Sequence, residues 1–165
     1  MISFRNYIEA IPDYPKDGVI YRDIQPLLMN QTVFKEAIKR MGNMVNVPDY
    51  WVALESRGFL FASALSYKFG GGIRMIRKPG KLPNEGILNV PYELEYGKGN
   101  LEMAIFDEED ATCVIVDDVL ATGGTMEAAQ TLCEANGLRV IDKLVLIDIG
   151  ISDVDDVKSL VYYDK

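Results

Sequence analysis

Four short runs restrict the folds open to this chain more than anything else in it. Trp51-Val52-Ala53-Leu54, Ile73 to Ile76, Cys113 to Val116 and Leu144 to Ile149 are apolar at nearly every position. A strand with one wet face would alternate; runs that are apolar on both faces suit a parallel sheet covered on each side by helices. The segments between them supply those helices. From Asn30 to about Asn46, Val33/Phe34, Ala37/Ile38, Met41 and Met44/Val45 recur at the three-to-four-residue spacing of one helix face. From Thr125 to Asn136, Met126, Ala129, Leu132 and Cys133 do the same, with Thr125 as the expected N-terminal cap and Gly137 as the stop. A third helix is expected over Phe59 to Phe69, ended by Gly70-Gly71-Gly72. Strand and helix in alternation make an α/β fold with a parallel-sheet core, and such a sheet keeps its ligand site beyond the carboxyl ends of its strands. The 165 residues fit a single domain over 1–165.

Composition removes several chemistries. With no histidine, the chain cannot run Ser-His-Asp or Cys-His catalysis or bind zinc through imidazole. Its two cysteines, Cys113 and Cys133, lie in a strand and on an apolar helix face and read as small core residues. The net charge of −8 argues against nucleic acid as a partner. Residues 51–100 nevertheless carry a net +3, which points to a small anionic ligand. No stretch of about 18 apolar residues occurs and the first residues do not form a signal-type run, so no membrane association is expected and the cytoplasm is the expected compartment.

The chemistry sits in the segments just past the strand ends. After Val114-Ile115-Val116 come two acids, Asp117 and Asp118, then Val119-Leu120, then the small glycine-rich loop Ala121-Thr122-Gly123-Gly124-Thr125 and a helix. Such a loop can wrap a phosphate: glycine admits close backbone approach, threonine hydroxyls add donors, and the helix start adds backbone N–H groups and partial positive charge. It lacks the lysine of a Walker loop and the G-x-G-x-x-G of dinucleotide folds. Two carboxylates just before it suit the 2′- and 3′-hydroxyls of a ribose, since each can accept from a diol. One segment would thus grip a ribose 5-phosphate at both ends. Glu55-Ser56-Arg57-Gly58 comes after the strand ending at Leu54, and Arg77-Lys78-Pro79-Gly80-Lys81 after the one ending at Ile76. Arg57 and Arg77 can contact an anion bidentately, with Lys81 as a point charge. The stretch from 82 to 100 is broken by Pro83, Gly86, Pro91, Gly97 and Gly99, too long for a plain connection, and Tyr92 to Tyr96 alternates like a strand; a mobile β-hairpin lid is expected there.

Residues 114–125 resemble the phosphoribosyl pyrophosphate (PRPP) signature of the type I phosphoribosyltransferases. Further strings are similar to those of the adenine-using family among them: Ile11 to Pro15, Gly18 to Ile24, Pro26 to Leu28, Glu55 to Phe59, Ile76 to Pro83, and Leu94-Glu95-Tyr96-Gly97. The resemblance spans roughly residues 8–150. It implies the type I fold with a small base-covering hood, built from about 1–28 and the segment near 148–165, and a lid at about 82–100. It implies a purine-salvage reaction, transfer of phosphoribose from PRPP to adenine with release of pyrophosphate. Ala121, Thr122, Gly123, Gly124 and Thr125 would hold the 5-phosphate. Asp117 and Asp118 would hold the ribose beside its developing charge. Ser56, Arg57, Arg77, Lys78 and Lys81 would take the pyrophosphate, with a non-proline cis peptide within 55–58. Mg²⁺ would be held by pyrophosphate and ribose oxygens rather than by a protein cage. Glu95 would manage the proton on the attacking purine nitrogen, and Tyr96 would shield the reacting centre. Tyr21 offers a flat ring for the base; the resemblance adds backbone groups of Ile20 and Arg22 for the adenine edge and Ile149 for its other face. A homodimer is implied as well. Two other readings compete: a transferase for hypoxanthine, guanine or xanthine, and a non-catalytic PRPP sensor. A 6-oxo purine wants a donor where adenine wants an acceptor, and no lysine stands beside Ile149. A sensor would need a DNA-binding segment or basic face, which the sequence lacks.

Overall fold

The computed structural model describes residues 2–83, 85–94, 97–106 and 110–164, without the side chains at 93, 94, 97 and 98. It divides into two compact units, Met1–Arg40 and Met41–Lys165.

The N-terminal unit starts with a 3₁₀ turn, Phe4–Tyr7, followed by an antiparallel hairpin of β1 (Glu9–Pro12) and β2 (Ile20–Asp23). A short helix α1 (Gln25–Met29) carries Pro26 in its first turn, where a missing N–H costs nothing. Helix α2 (Gln31–Gly42) closes the unit; Asn30 Oδ1 accepts from the Val33 N–H at its start (3.1 Å), and Val33, Ala37 and Ile38 form its buried stripe.

The larger unit is built on a seven-stranded sheet. Its strands are β3 (Tyr50–Leu54), β4 (Gly72–Arg77), β5 (Ile87–Leu94), β6 (Gly97–Ala104), β7 (Thr112–Leu120), β8 (Arg139–Asp148) and β9 (Val157–Tyr162). The order is β5-β6-β4-β3-β7-β8-β9. From β4 to β9 all neighbours are parallel; β5 and β6 form an antiparallel hairpin attached through β6 to β4. The four apolar runs are thus β4, β3, β7 and β8, side by side at the centre. Helices α3 (Gly58–Phe69) and α4 (Gly124–Ala135) make the parallel crossovers. One sheet face, with Val52, Leu54, Ile76, Cys113 and Ile115, packs on Met126, Ala129, Leu132 and Cys133 of α4. α3 buries Phe61, Ala62 and Leu65 and packs on β3 and β7.

The structure adjusts several expectations. Gly123, in the left-handed conformation at φ 95°, precedes α4 without a side chain to cap it, and Thr125 is the helix's second residue rather than its cap. Gly137 does stand at the far end, with φ 75°. The strand before the loop continues through both acids to Leu120. The 82–100 stretch contains most of a hairpin whose second strand continues to Ala104. Pro91 is tolerated inside β5 because β5 is an edge strand with no outer neighbour to supply. Within 148–165, residues 157–162 join the sheet as its other edge strand.

Candidate active site

The site is assembled where β3, β4, β7 and β8 end. β7 delivers Asp117 and Asp118 and runs straight into the 121–125 loop. The loop leads into α4 through Gly123, and no side chain caps that helix start. The first N–H groups of a helix have no intrahelical acceptor, so an uncapped start behind a left-handed glycine presents donors to an anion. Thr122 is exposed, and Gly124 and Thr125 are partly so.

β3 delivers the second loop. The Glu55–Ser56 peptide is cis, as the resemblance implies, and α3 begins two residues later at Gly58. Gly58 is pressed against β7: a Cβ there would lie 2.6 Å from the Val116 carbonyl oxygen and 3.3 Å from Asp117 Oδ1. That approach sets Arg57 beside the acid pair, with Arg57 Nε 2.8 Å from Asp118 Oδ2. The contact is ionic but poorly aligned, and among the described residues the same oxygen, fully buried, accepts no hydrogen bond. It is a buried acceptor suited to a hydroxyl or a cation.

Asp118 is only 4% exposed, and burial raises its carboxyl above the usual range while Arg57 pulls the other way. Asp117 keeps some surface, but loss of hydration pushes its carboxyl well above that range, and the charge of Asp118 adds to the push. Its Oδ1 accepts the Asp118 N–H at 2.8 Å, which offsets part of this. Two carboxylates are thus held close together and poorly hydrated, a costly arrangement that a cationic or hydroxylic ligand would relieve.

β4 delivers the third loop. Arg77 reaches Glu55, with Nε 3.3 Å and Nη2 3.5 Å from its carboxylate, while the Lys78 N–H donates to Glu55 Oε2 at 2.9 Å. The Lys78 N–H, followed by the guanidinium of Arg77, holds the Glu55 carboxyl below its ordinary value. Arg77 Nη1 also donates to the Lys81 carbonyl at 3.4 Å, which curls the 77–81 loop around the guanidinium. Lys78 and Lys81 are exposed. The sequence marks Glu55 only as part of its loop; the structure makes it the partner that orients Arg77.

The structure therefore brings Ser56, Arg57, Asp117, Asp118 and the 121–125 loop together, with Arg77, Lys78 and Lys81 joined to that group through Glu55. Ile149 directly succeeds β8, and its N–H donates to the Leu120 carbonyl at 3.2 Å, at the end of β7. Ile20, Tyr21 and Arg22 lie on β2 of the N-terminal unit. There Pro12, opposite Ile20, has no N–H to give, and Tyr21 meets Tyr14 edge to face at 5.2 Å. Glu95 and Tyr96, which fall between β5 and β6 in the sequence, lie outside the described residues. Among the described residues no cluster of three or more carboxylate or cysteine side chains could cage a metal.

Residues 27–165 match the phosphoribosyl transferase domain. The chain is 45% identical to the adenine phosphoribosyltransferase of Carboxydothermus hydrogenoformans, over 90% of this chain and 88% of that one. The crystal structure of adenine phosphoribosyltransferase from Thermoanaerobacter pseudethanolicus superposes with a TM-score of 0.91 at 38% identity, covering 97% of this chain and 98% of that one. The Saccharomyces cerevisiae enzyme, solved with an imino-altritol bisphosphate and adenine, superposes with a TM-score of 0.81 at 31% identity over 88% of this chain and 86% of that one.

Proposed function

The chain belongs to the adenine phosphoribosyltransferase family, and on that premise we propose that it makes AMP in purine salvage by moving phosphoribose from PRPP to adenine. The purine nitrogen bonds to the anomeric carbon, that carbon's bond to pyrophosphate breaks with both electrons leaving on oxygen, and the nitrogen loses its proton. The observation that carries the site assignment is the acid pair on β7 opening directly into an uncapped, glycine-hinged helix start.

Each residue then has a task. The 121–125 amides and threonine hydroxyls hold the 5-phosphate. Asp118 and Asp117 take the ribose hydroxyls, Asp118 Oδ2 being a buried acceptor without a hydrogen bond among the described residues, and their charge lies near the positive charge that grows on the sugar ring. Fixing both ends of the sugar turns its anomeric carbon toward the base. Ser56, Arg57, Arg77, Lys78 and Lys81 receive the pyrophosphate. Arg57 and Arg77 wait in ion pairs with Asp118 and Glu55, so their guanidinium groups are oriented before substrate arrives. Glu95 takes the purine proton and Tyr96 excludes water, roles assigned to them by the Leu94-Glu95-Tyr96-Gly97 string. Tyr21, with backbone groups of Ile20 and Arg22, reads adenine, and Ile149 covers the base.

Mg²⁺ fits this set: Asp117 and Asp118 set two poorly hydrated carboxyls side by side, and such an ion is usually held by one or two carboxylates plus substrate oxygens. When bound it neutralises the leaving pyrophosphate. A two-fold homodimer belongs to the same proposal; Ile73 and Met75, 42% and 46% exposed on one face of β4, supply an apolar patch next to the Arg77 loop. The free thiols of Cys113 and Cys133 suit a reducing compartment, consistent with the cytoplasm.

The test is pyrophosphate release from PRPP and Mg²⁺ with adenine, hypoxanthine, guanine and xanthine supplied separately. Release with adenine alone is expected. Release with a 6-oxo purine in preference would overturn the base assignment, and PRPP binding without release for any base would favour a sensor.

A further inference from the structure

The segment after β8 is short and acidic, with Asp153, Asp155 and Asp156, and nothing in its composition suggests a role. Its position does. Gly123 is the left-handed residue on which the phosphate loop turns into α4. A Cβ built on Gly123 would lie 2.3 Å from Val154 Cγ2 and 2.5 Å from Ser152 Oγ. Those two side chains therefore occupy the space a side chain at 123 would need and rest on the glycine itself. Ser152 Oγ also accepts the Val154 N–H at 3.0 Å, tying the two into one unit. Val154 packs in turn against the buried cluster that includes Leu120 and Met126, the residues flanking the loop. The glycine is thus pressed from outside by a wedge that is anchored in the core.

We propose that Ser152 and Val154 are positioning residues for the 5-phosphate of PRPP: they hold the Gly123 turn in the shape that aims the loop's amides inward. This rests on the assignment of 121–125 as the phosphate cradle. The wedge acts through the loop and touches no reacting atom. A loop fixed before the ligand arrives does not lose that freedom on binding, and this is how preorganisation raises affinity. The exposed Asp153 and Asp155 beside it would repel a phosphate, so support rather than direct ligation is the role this segment can fill.

The experiment measures binding of ribose 5-phosphate by calorimetry and the steady-state constants for PRPP and adenine, in the wild type and in Val154→Ala, Ser152→Ala and Ser152→Thr. For Val154→Ala the KM for PRPP and the Kd for ribose 5-phosphate should rise together by about 5–10-fold. kcat should stay within about twofold and the KM for adenine should not move, the pattern of lost ground-state binding. Ser152→Ala should shift the same constants less, and Ser152→Thr, which keeps the hydroxyl, should restore them. Val157→Ala, in the same segment but part of the sheet edge, should lower Tm without changing the Kd for ribose 5-phosphate. If the wild type binds ribose 5-phosphate and both Val154→Ala and Ser152→Ala bind it equally well, the wedge has no such role. Should Val154→Ala fail to fold, an unchanged Kd in Ser152→Ala alone overturns the proposal. A wild type that does not bind ribose 5-phosphate at all would instead remove the cradle assignment on which it stands.

Discussion

Replacing Gly58 by alanine adds one carbon where two backbone segments of the site approach closely. Gly58 does not need a left-handed backbone, so alanine meets no conformational penalty there. The obstacle is the Val116 carbonyl oxygen at 2.6 Å from the new carbon, where ordinary contact begins near 3.4 Å. The start of α3 and the end of β7 must then separate by roughly 0.8 Å, and both sides are backbone in regular structure. Overpacking of this kind costs about 1–3 kcal/mol. The smaller entropy of the unfolded alanine chain offsets about 0.4–1 kcal/mol. The net loss is then up to about 2.6 kcal/mol, and at about 2–4 °C per kcal/mol for a protein of this size Tm should fall by up to about 10 °C, leaving the protein folded at 25 °C. Activity should suffer more. The same displacement moves Asp117 and Arg57, and a misplacement near 1 Å in a catalytic site can cost about 10²-fold. kcat/KM for PRPP should therefore drop between about 10- and 100-fold. Gly99→Ala is the matched control: its new carbon would also sit 2.6 Å from a neighbour, but that neighbour is the swinging ring of Tyr92 rather than backbone. Differential scanning calorimetry and initial rates on the two variants decide the matter. A Gly58→Ala protein with unchanged Tm and unchanged kcat/KM would refute the reasoning.

Asp118→Asn should lower kcat on the order of 10²-fold, the usual loss when one charged transition-state contact goes, while circular dichroism and Tm stay near wild type; normal turnover would exclude the assigned role. Asp117→Asn should stabilise the ligand-free protein as it slows the reaction. Burial raises the folded-state value of this carboxyl, so its contribution is intact below the unfolded value near 3.9 and is lost as pH rises through the folded value. The Tm advantage of Asp117→Asn should accordingly be absent at low pH and grow toward neutrality, and a constant difference across the range would contradict the sign. Glu55 runs the opposite way. Its folded value is lowered, so its stabilisation is present above the unfolded value near 4.3 and fades as pH falls through the folded one. Glu55→Gln should lower Tm at pH 7, and the gap should close in acid.

The centre of the sheet is legible because β3 and β7 are buried on both faces; the Ile73–Ile76 run carries the same apolar mark, but β4 leaves Ile73 and Met75 exposed on one face, so there the expectation of two covered faces does not hold. Trp51–Leu54 and Cys113–Val116 have no wet side, so an unbroken apolar run marks them, and the spacing of Met126, Ala129, Leu132 and Cys133 marks α4. β9 carries no such mark. Val157, Lys158, Ser159, Leu160, Val161 and Tyr162 mix polar and apolar residues as an edge strand does, and the signal is weak beside the acids that precede it. A hydroxyl residue is the ordinary helix cap, which points to Thr125; the left-handed Gly123 replaces it where amides are left open. Within the site, residue types are readable but partners are not. Glu55 meets Arg77 across 22 positions of sequence, and Asp118 meets Arg57 across 61, pairs that exist only once β3, β4 and β7 lie side by side. Ser152 and Val154 are invisible for the same reason: only the fold puts them against Gly123.

A crystal structure of the protein soaked with AMP tests the account most directly. The phosphate should lie on the backbone amides of 121–125, with the ribose 2′- and 3′-hydroxyls donating to Asp117 and Asp118. A nucleotide bound with its phosphate elsewhere, or a loop whose amides point away from it, would contradict the assignment.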